Sequence, residues 1–224
     1  MSANDNSSAY DSGTYDARIT SVLPYYSEYH KQVIDLVNTM GNSSPMWLDT
    51  GCGTGTLAMR ALEAFPGARL TLCDPSEQML DVAKNKLAGR NVRYFNVPSG
   101  ELEFDNEFDI VTAIQCHHYL DIGSREQAVH RCRQALKDGG IFVAFENIRM
   151  ETDEADEIAA DRWAGFLAAH GHSPESIKMH LERRGTEVLP ITVEQHLELL
   201  KKCSFKAVNV LWASYLQAGF WAIK

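Results

Sequence analysis

The stretch that most constrains this chain is Met46-Trp47-Leu48-Asp49-Thr50-Gly51-Cys52-Gly53-Thr54-Gly55-Thr56-Leu57-Ala58. It reads as a short apolar strand from Met46 to Thr50, a glycine loop, and a helix that starts near Thr56. Glycines at 51, 53 and 55 let the backbone turn sharply and admit a ligand where a Cβ would block it. The helix behind the loop offers unpaired N–H groups and the positive end of its dipole. A second acid, Asp74, closes the next strand, Arg69 to Cys73. Strand, glycine loop, helix, strand and acid in that order make a nucleoside-binding unit whose acid accepts from ribose hydroxyls.

The spacing narrows the ligand. The dinucleotide fingerprint is G-x-G-x-x-G, whereas this chain has Gly51-x-Gly53-x-Gly55. Asp49, two residues before the first glycine, would repel a pyrophosphate and attract a cation. S-adenosylmethionine carries an ammonium, a carboxylate and a sulfonium, and no phosphate. Asp49 suits the ammonium, the loop amides over Gly51, Cys52, Gly53 and Gly55 suit the carboxylate, and Asp74 suits the ribose. On these residues the chain resembles the class I S-adenosylmethionine-dependent methyltransferases, whose first motif is an acid followed by G-x-G-x-G. Leu136-Lys137-Asp138-Gly139-Gly140 before an apolar strand resembles a further, structural motif of that family. The resemblance implies an α/β fold: a Rossmann-like, doubly wound seven-stranded sheet in the order 3-2-1-4-5-7-6 with strand 7 antiparallel, plus a helical insert.

Length and composition set outer bounds. A chain of 224 residues with 45% hydrophobic content makes one domain, with or without an inserted cap. Residues 1–13, polar and without the blocks of a signal peptide, read as a mobile tail, and 14–224 as the domain. A formal charge of −9 argues against a nucleic-acid partner, which needs a basic face. No apolar run approaches the roughly 20 residues that cross a bilayer. Five cysteines (52, 73, 116, 132, 203) form no C-x-x-C pair, which fits reduced thiols in the cytoplasm better than a zinc site.

Along the chain, helical spacing runs from Thr14 to Met40, with Pro24 suited to the first turn of a helix that begins there. A core helix spans Thr56 to Phe65, and Ser76 caps another that reaches Ala88. Val92 to Val97 and Phe108 to Ile114 read as strands. Ser124 is the expected cap of a helix to Leu136, followed by a turn at Lys137–Gly140 and a strand from Ile141 to Glu146. Thr192 with Gln195 has capping-box spacing. Strands at Phe205–Trp212 and Leu216–Ile223 form a closing hairpin. Residues 150–185 leave the strand–helix rhythm.

The resemblance also implies site residues. Tyr25 and Tyr26 in an N-terminal helix, Met79 five residues after Asp74, and Gln115 at the end of the fourth strand are cofactor-binding candidates. So is Pro75. The family's adenine-binding acid aligns with Pro98 here, so Ser99 and the Gly100 backbone stand in. His117, His118 and Tyr119, just beyond the central strand, are candidate proton acceptors, or simply the start of the next helix. No metal is expected; His170 and His172 lack further ligands. The insert, with Trp163, His170, His172, His180, Arg183 and Arg184, is where the family often builds a lid over the acceptor or an oligomer contact. A homodimer stays open on that ground.

The implied activity is methyl transfer from S-adenosylmethionine to a small-molecule acceptor. Leu23-Pro24-Tyr25-Tyr26, Phe145-Glu146-Asn147 and Ile191-Thr192-Val193-Glu194-Gln195-His196 are also similar to carboxy-S-adenosylmethionine synthases. Those enzymes use prephenate to carboxylate the cofactor and hold the carboxylate with an arginine of the insert. A catalytically silent S-adenosylmethionine-binding subunit is the third reading.

Overall fold

The computed structural model describes residues 12–224, so the tail expected at 1–13 falls almost wholly outside the described residues. Five parallel strands are β1 (Met46–Thr50), β2 (Arg69–Cys73), β3 (Val92–Phe95), β4 (Phe108–Ile114) and β5 (Leu136–Asn147). The hairpin β6 (Lys206–Ser214) and β7 (Gln217–Ile223) completes the sheet. Its order is β3-β2-β1-β4-β5-β7-β6, with β7 antiparallel to β5, as the sequence resemblance implies.

Helices cover both faces: α1 (Tyr15–Val22), α2 (Tyr26–Asn38), α3 (Thr56–Ala64), α4 (Glu77–Lys86), α5 (Ile122–Ala135), α6 (Asp153–Ala169), α7 (Pro174–Glu182) and α8 (Val193–Lys202). The central strands are therefore apolar on both sides. Successive side chains point to opposite faces. Trp47, Ile110, Val143 and Phe145 join one core, together with α1, α2 and α3. Leu48, Val111, Phe142 and Ala144 join the other, with α5 and α8.

Three local readings differ from the sequence expectation. The helical stretch 14–40 is two helices. Leu23 is extended (φ −100°, ψ 113°) because the ring of Pro24 disfavours helical geometry in the residue before it. Tyr25 then turns the chain in the left-handed region (φ 58°) to start α2. Secondly, α5 is capped by Asp121, whose carboxylate accepts from the Ser124 N–H, so Ser124 is the capped residue. Thirdly, the Lys137–Gly140 turn lies inside the span of β5. It shows as a register shift between Phe108–Leu136 and Ile110–Ile141, with Gly139 at φ 78°. The Ser76 cap and the Thr192–Gln195 capping box form as read.

Residues 150–185 contain α6 and α7. The Trp163 indole N–H donates to the Val22 carbonyl at 2.8 Å, which ties α6 to the end of α1.

Gly219 of β7 pairs with Phe145 of β5, and a Cβ there would lie 2.5 Å from the Phe145 ring. That ring is stacked on Tyr29 at 4.9 Å and has little room to yield. Gly219→Ala is expected to lower the unfolding free energy by about 1–3 kcal/mol, the usual cost of overpacking, as read by chemical denaturation.

Candidate active site

A cleft opens at the carboxyl ends of β1, β2, β4 and β5, where doubly wound sheets bind ligands. Its inner end, between α2 and the glycine loop, is lined by Tyr26, His30, Asp49, Gly51, Cys52 and Gly53. Its outer part is lined by Asp74, Met79, Gln115, His118 and Tyr119, facing Trp163, His180, Arg183 and Arg184 of the insert.

The loop is held from below. Gly53 N–H donates to Asp74 Oδ2 at 2.8 Å, and Ser76 N–H donates to Asp74 Oδ1 at 2.8 Å. Asp74 carries these bonds while lining the outer part of the cleft. Gly51 (φ 63°) has no room for a side chain: a Cβ would lie 2.4 Å from the Cβ of Cys116. Cys116 therefore acts as the small residue on which the loop packs. A Cβ at Gly53 would meet nothing within 4 Å, so this is the residue with its bare face toward the cleft.

Asp49 is buried at the end of β1 with 3% of its surface exposed. The Thr112 hydroxyl donates to its Oδ1 at 2.7 Å, and the Trp47 indole N–H occupies that hydroxyl's lone pair at 3.0 Å. Among the described residues no Lys or Arg pairs with it. Burial, opposed by the Thr112 bond and reinforced by the charge of Asp74, pushes its pKa up to about 7. The inner end of the cleft therefore holds an acid that has no cationic partner among the described residues.

The outer end is organised by β4 and β5. Gln115 (φ 57°) donates its backbone N–H to the Phe145 carbonyl at 2.7 Å. Its side-chain amide donates to Gln217 at 2.8 Å, which in turn donates to Asn147 at 3.0 Å. His118 lines the cleft, with Nδ1 2.8 Å from Glu146 Oε2.

Several candidates stand outside the walls of the cleft. Tyr25 is 56% exposed and packs edge-on to Trp212 and beside Tyr215, because its left-handed backbone turns it outward; Tyr26 takes the inward place. Gly55 (φ 75°) starts α3 tight against Ala83. Pro75 lies behind Asp74, where Asn96 donates to its carbonyl. The Ser99 hydroxyl is bonded to that of Thr50 at 2.8 Å, and the Gly100 carbonyl accepts from Gln127. His117 borders a separate small cavity with Arg125, Glu146 and His196 on the α8 side. His172 uses both ring nitrogens on the hydroxyls of Ser21 and Ser176, so it does not pair with His170. Sequence reasoning did not single out His30, four positions after Tyr26 on one helical face, and it read Glu146 and Asn147, at the end of β5, only as part of a resemblance and not as site residues.

A family model described as a methyltransferase domain matches residues 48–142. The chain is 23% identical over 205 residues to the carboxy-S-adenosyl-L-methionine synthase of Campylobacter lari, covering 90% of this chain and 87% of that protein. It is 25% identical to the synthase of Nautilia profundicola over 211 residues, 94% and 90% of the two chains. In three dimensions it resembles a putative O-methyltransferase of Nostoc punctiforme (TM-score 0.68, 16% identity, 100% of this chain and 64% of that one). It also resembles the magnesium protoporphyrin IX methyltransferase of Synechocystis, solved with S-adenosylhomocysteine (TM-score 0.65, 16% identity, 92% and 86%). The sheet order and these neighbours give the chain the class I S-adenosylmethionine-dependent methyltransferase fold, and its residues 48–142, which carry the glycine loop, are similar to a methyltransferase domain.

The raised pKa of Asp49 has a stability signature. Between its ordinary value of 3.8 and about 7 the folded state binds the extra proton, so this group makes the free protein lose stability as pH rises, by about 1.4 kcal/mol per unit at most. Asp49→Asn is expected to flatten that part of the stability–pH curve, as measured by urea denaturation from pH 4 to 8.

Proposed function

We propose that this protein transfers the methyl group of S-adenosylmethionine to a small-molecule acceptor. The observation that carries this reading is Asp49: a buried carboxylate with one hydroxyl donor, beside a second acid, at the end of a glycine loop. Such a site accepts an ammonium and repels a pyrophosphate. In this arrangement Asp49 and the Gly51–Gly53 loop hold the amino-acid end of the cofactor, Asp74 the ribose, and Met79 the base; Gln115 stands nearest the sulfonium. His118 and Tyr119 face the acceptor. The five free cysteines and the charge of −9 support a cytoplasmic protein without a nucleic-acid partner.

Binding by calorimetry tests the reading. Affinity for S-adenosylmethionine is expected to rise as pH increases toward about 7, because the ammonium favours ionised Asp49 and its binding expels the proton. Asp49→Asn should abolish that dependence, and Asp74→Ala should weaken binding by about 1–3 kcal/mol, the loss of hydrogen bonds to a charged group. Preference for a nicotinamide dinucleotide would overturn the assignment.

A second reading has its own support. Arg183 and Arg184 reach the outer cleft beside His180, and the relatives named above are carboxy-S-adenosyl-L-methionine synthases. Arg183 is paired with Glu187 and Arg184 with Asp156, and the positive charge they bring to this face suits an anionic substrate or a carboxylated cofactor. Native mass spectrometry of the purified protein separates the two: co-purified S-adenosylmethionine or S-adenosylhomocysteine supports methyl transfer, and the carboxylated cofactor supports the synthase.

A further inference from the structure

A ligand that pairs with Asp49 has to reach it. That acid is only 3% exposed, so an ammonium gets there when a covering element moves. The element over the cleft is α1. Tyr15, Ile19 and Val22, with Leu23 just past its end, are spaced i, i+4, i+7 and i+8, one helical face, and all four line the outer part of the cleft. Tyr15 also lines the inner end. One face of α1 thus spans both parts of the site.

The two ends of α1 are held by different means. At the C-terminal end Ile19 and Val22 join the core, and the Val22 carbonyl accepts from the buried Trp163 indole. At the N-terminal end the tie is a polar knot at the surface. Asp16 Oδ1 accepts from the Thr54 and Thr56 hydroxyls at 2.6 and 3.2 Å, and Oδ2 accepts from Lys86 Nζ at 2.7 Å. Lys86, the last residue of α4, donates to the same two hydroxyls at 2.9 and 2.8 Å. Thr54 belongs to the glycine loop and Thr56 opens α3, which has no side-chain cap of its own. The Asp16 carboxylate is therefore the anion at the N-terminus of α3, where the helix dipole favours it. Burial opposes its charge, but the bonds from Lys86 and the two threonines hold its pKa below the ordinary value. Past the C-terminal end, Leu23 is extended and Tyr25 left-handed, so the chain leaves α1 through a non-helical turn.

Resting on the S-adenosylmethionine reading, we propose that α1 is a lid over the cofactor, hinged at Leu23–Tyr25, and that Asp16 and Lys86 are its latch. The hinge falls where a few residues outside helical geometry can absorb a rotation. The latch fastens α1 to the glycine loop, α3 and α4, the elements that frame the cofactor's place. Neither Asp16 nor Lys86 lines the cleft, so the latch acts alike on the empty and the loaded site. The cofactor enters and leaves through the same opened state. Weakening the latch therefore raises entry and exit by one factor and leaves affinity as it was. A side chain that touched the cofactor would instead change exit and affinity together.

The test is stopped-flow binding and displacement of S-adenosylhomocysteine on the full chain, for wild type, Asp16→Asn, Lys86→Met and the double variant. Each single variant is expected to raise the association and dissociation rates together, by about three- to tenfold for a charged pair within a hydrogen-bonded network, with Kd unchanged. The double variant is expected to match the singles, because both remove the same interaction. Unchanged rates in both singles, or a dissociation rate that rises alone and weakens Kd, overturns the latch. The two substitutions lie on different helices, so if one variant fails to fold the other decides. Amide hydrogen exchange of the ligand-free protein is the second arm. The α1 amides are expected to exchange faster in the variants and those of α5 at the wild-type rate; equal exchange in α1 overturns the proposal. This arm needs no ligand. A wild type that does not bind S-adenosylhomocysteine sinks the cofactor reading, and the exchange result still decides whether α1 is latched.

Discussion

A carboxylate removed from water needs donors or a cation, and Asp49 has been given only one hydroxyl for that purpose. Leaving a buried charge this poorly compensated costs several kcal/mol unless a ligand supplies the missing partner. The surrounding structure enforces the shortage. Trp47 fixes the Thr112 hydroxyl, Asp74 adds a second negative charge, and Gly51 closes on Cys116 so that no side chain can approach from the loop. The deficit sits where the parallel strands end; the loop N–H groups of Cys52, Gly53 and Gly55, expected to face a ligand carboxylate, are instead bonded to the Cys73 carbonyl, Asp74 and the Cys52 carbonyl.

Two other buried acids, Asp74 in the cleft and Glu146 behind it, are treated differently. Asp74 accepts two backbone N–H bonds and holds the glycine loop to the start of α4. Glu146 accepts two backbone N–H bonds and a histidine, and its pKa falls where that of Asp49 rises. Environment, not residue type, sets these roles. One acid has a single hydroxyl donor, one braces the loop, and one is bonded to His118. The same fold thus places Asp49 and Asp74 at the ends of β1 and β2 and the Glu146–His118 pair at the ends of β4 and β5, with Trp163 of α6 and His180 of α7 on the outer side of the cleft.

Most of the sheet was legible because its signals are local. Apolar runs at 46–50 and 108–114, glycines that need positive φ, and caps at Ser76 and Thr192 are each decided within a few residues. Errors came where two local signals competed. Pro24 suits a helix start, yet it also expels Leu23 from helical geometry, and the outcome moved Tyr25 outward and Tyr26 inward. Asp121 and Ser124 are both good caps, and spacing to the first turn chose Asp121. Among the site candidates, Asp49, Gly51, Gly53 and Asp74 line the cleft because they belong to one contiguous strand–loop–strand unit. Ser99, Gly100 and Pro75 come from outside its walls, where neighbouring side chains such as Thr50, Gln127 and Asn96 engage their polar atoms.

By itself the sequence determined the nucleoside-binding unit, the strand order implied by its family resemblance, and the sign of the charge that meets the ligand. These depend on φ preferences, periodicity and residue chemistry over short spans. Only the tertiary structure decided which of the paired candidates face the cleft: Tyr26 over Tyr25, and His118 over His117. It alone joined His118 to Glu146 across 28 residues and brought Arg183 and Arg184 from the insert to the mouth of the site. Those contacts arise from the packing of β4 against β5 and of α6 against α1, and no local preference encodes the distance between groups so far apart along the chain.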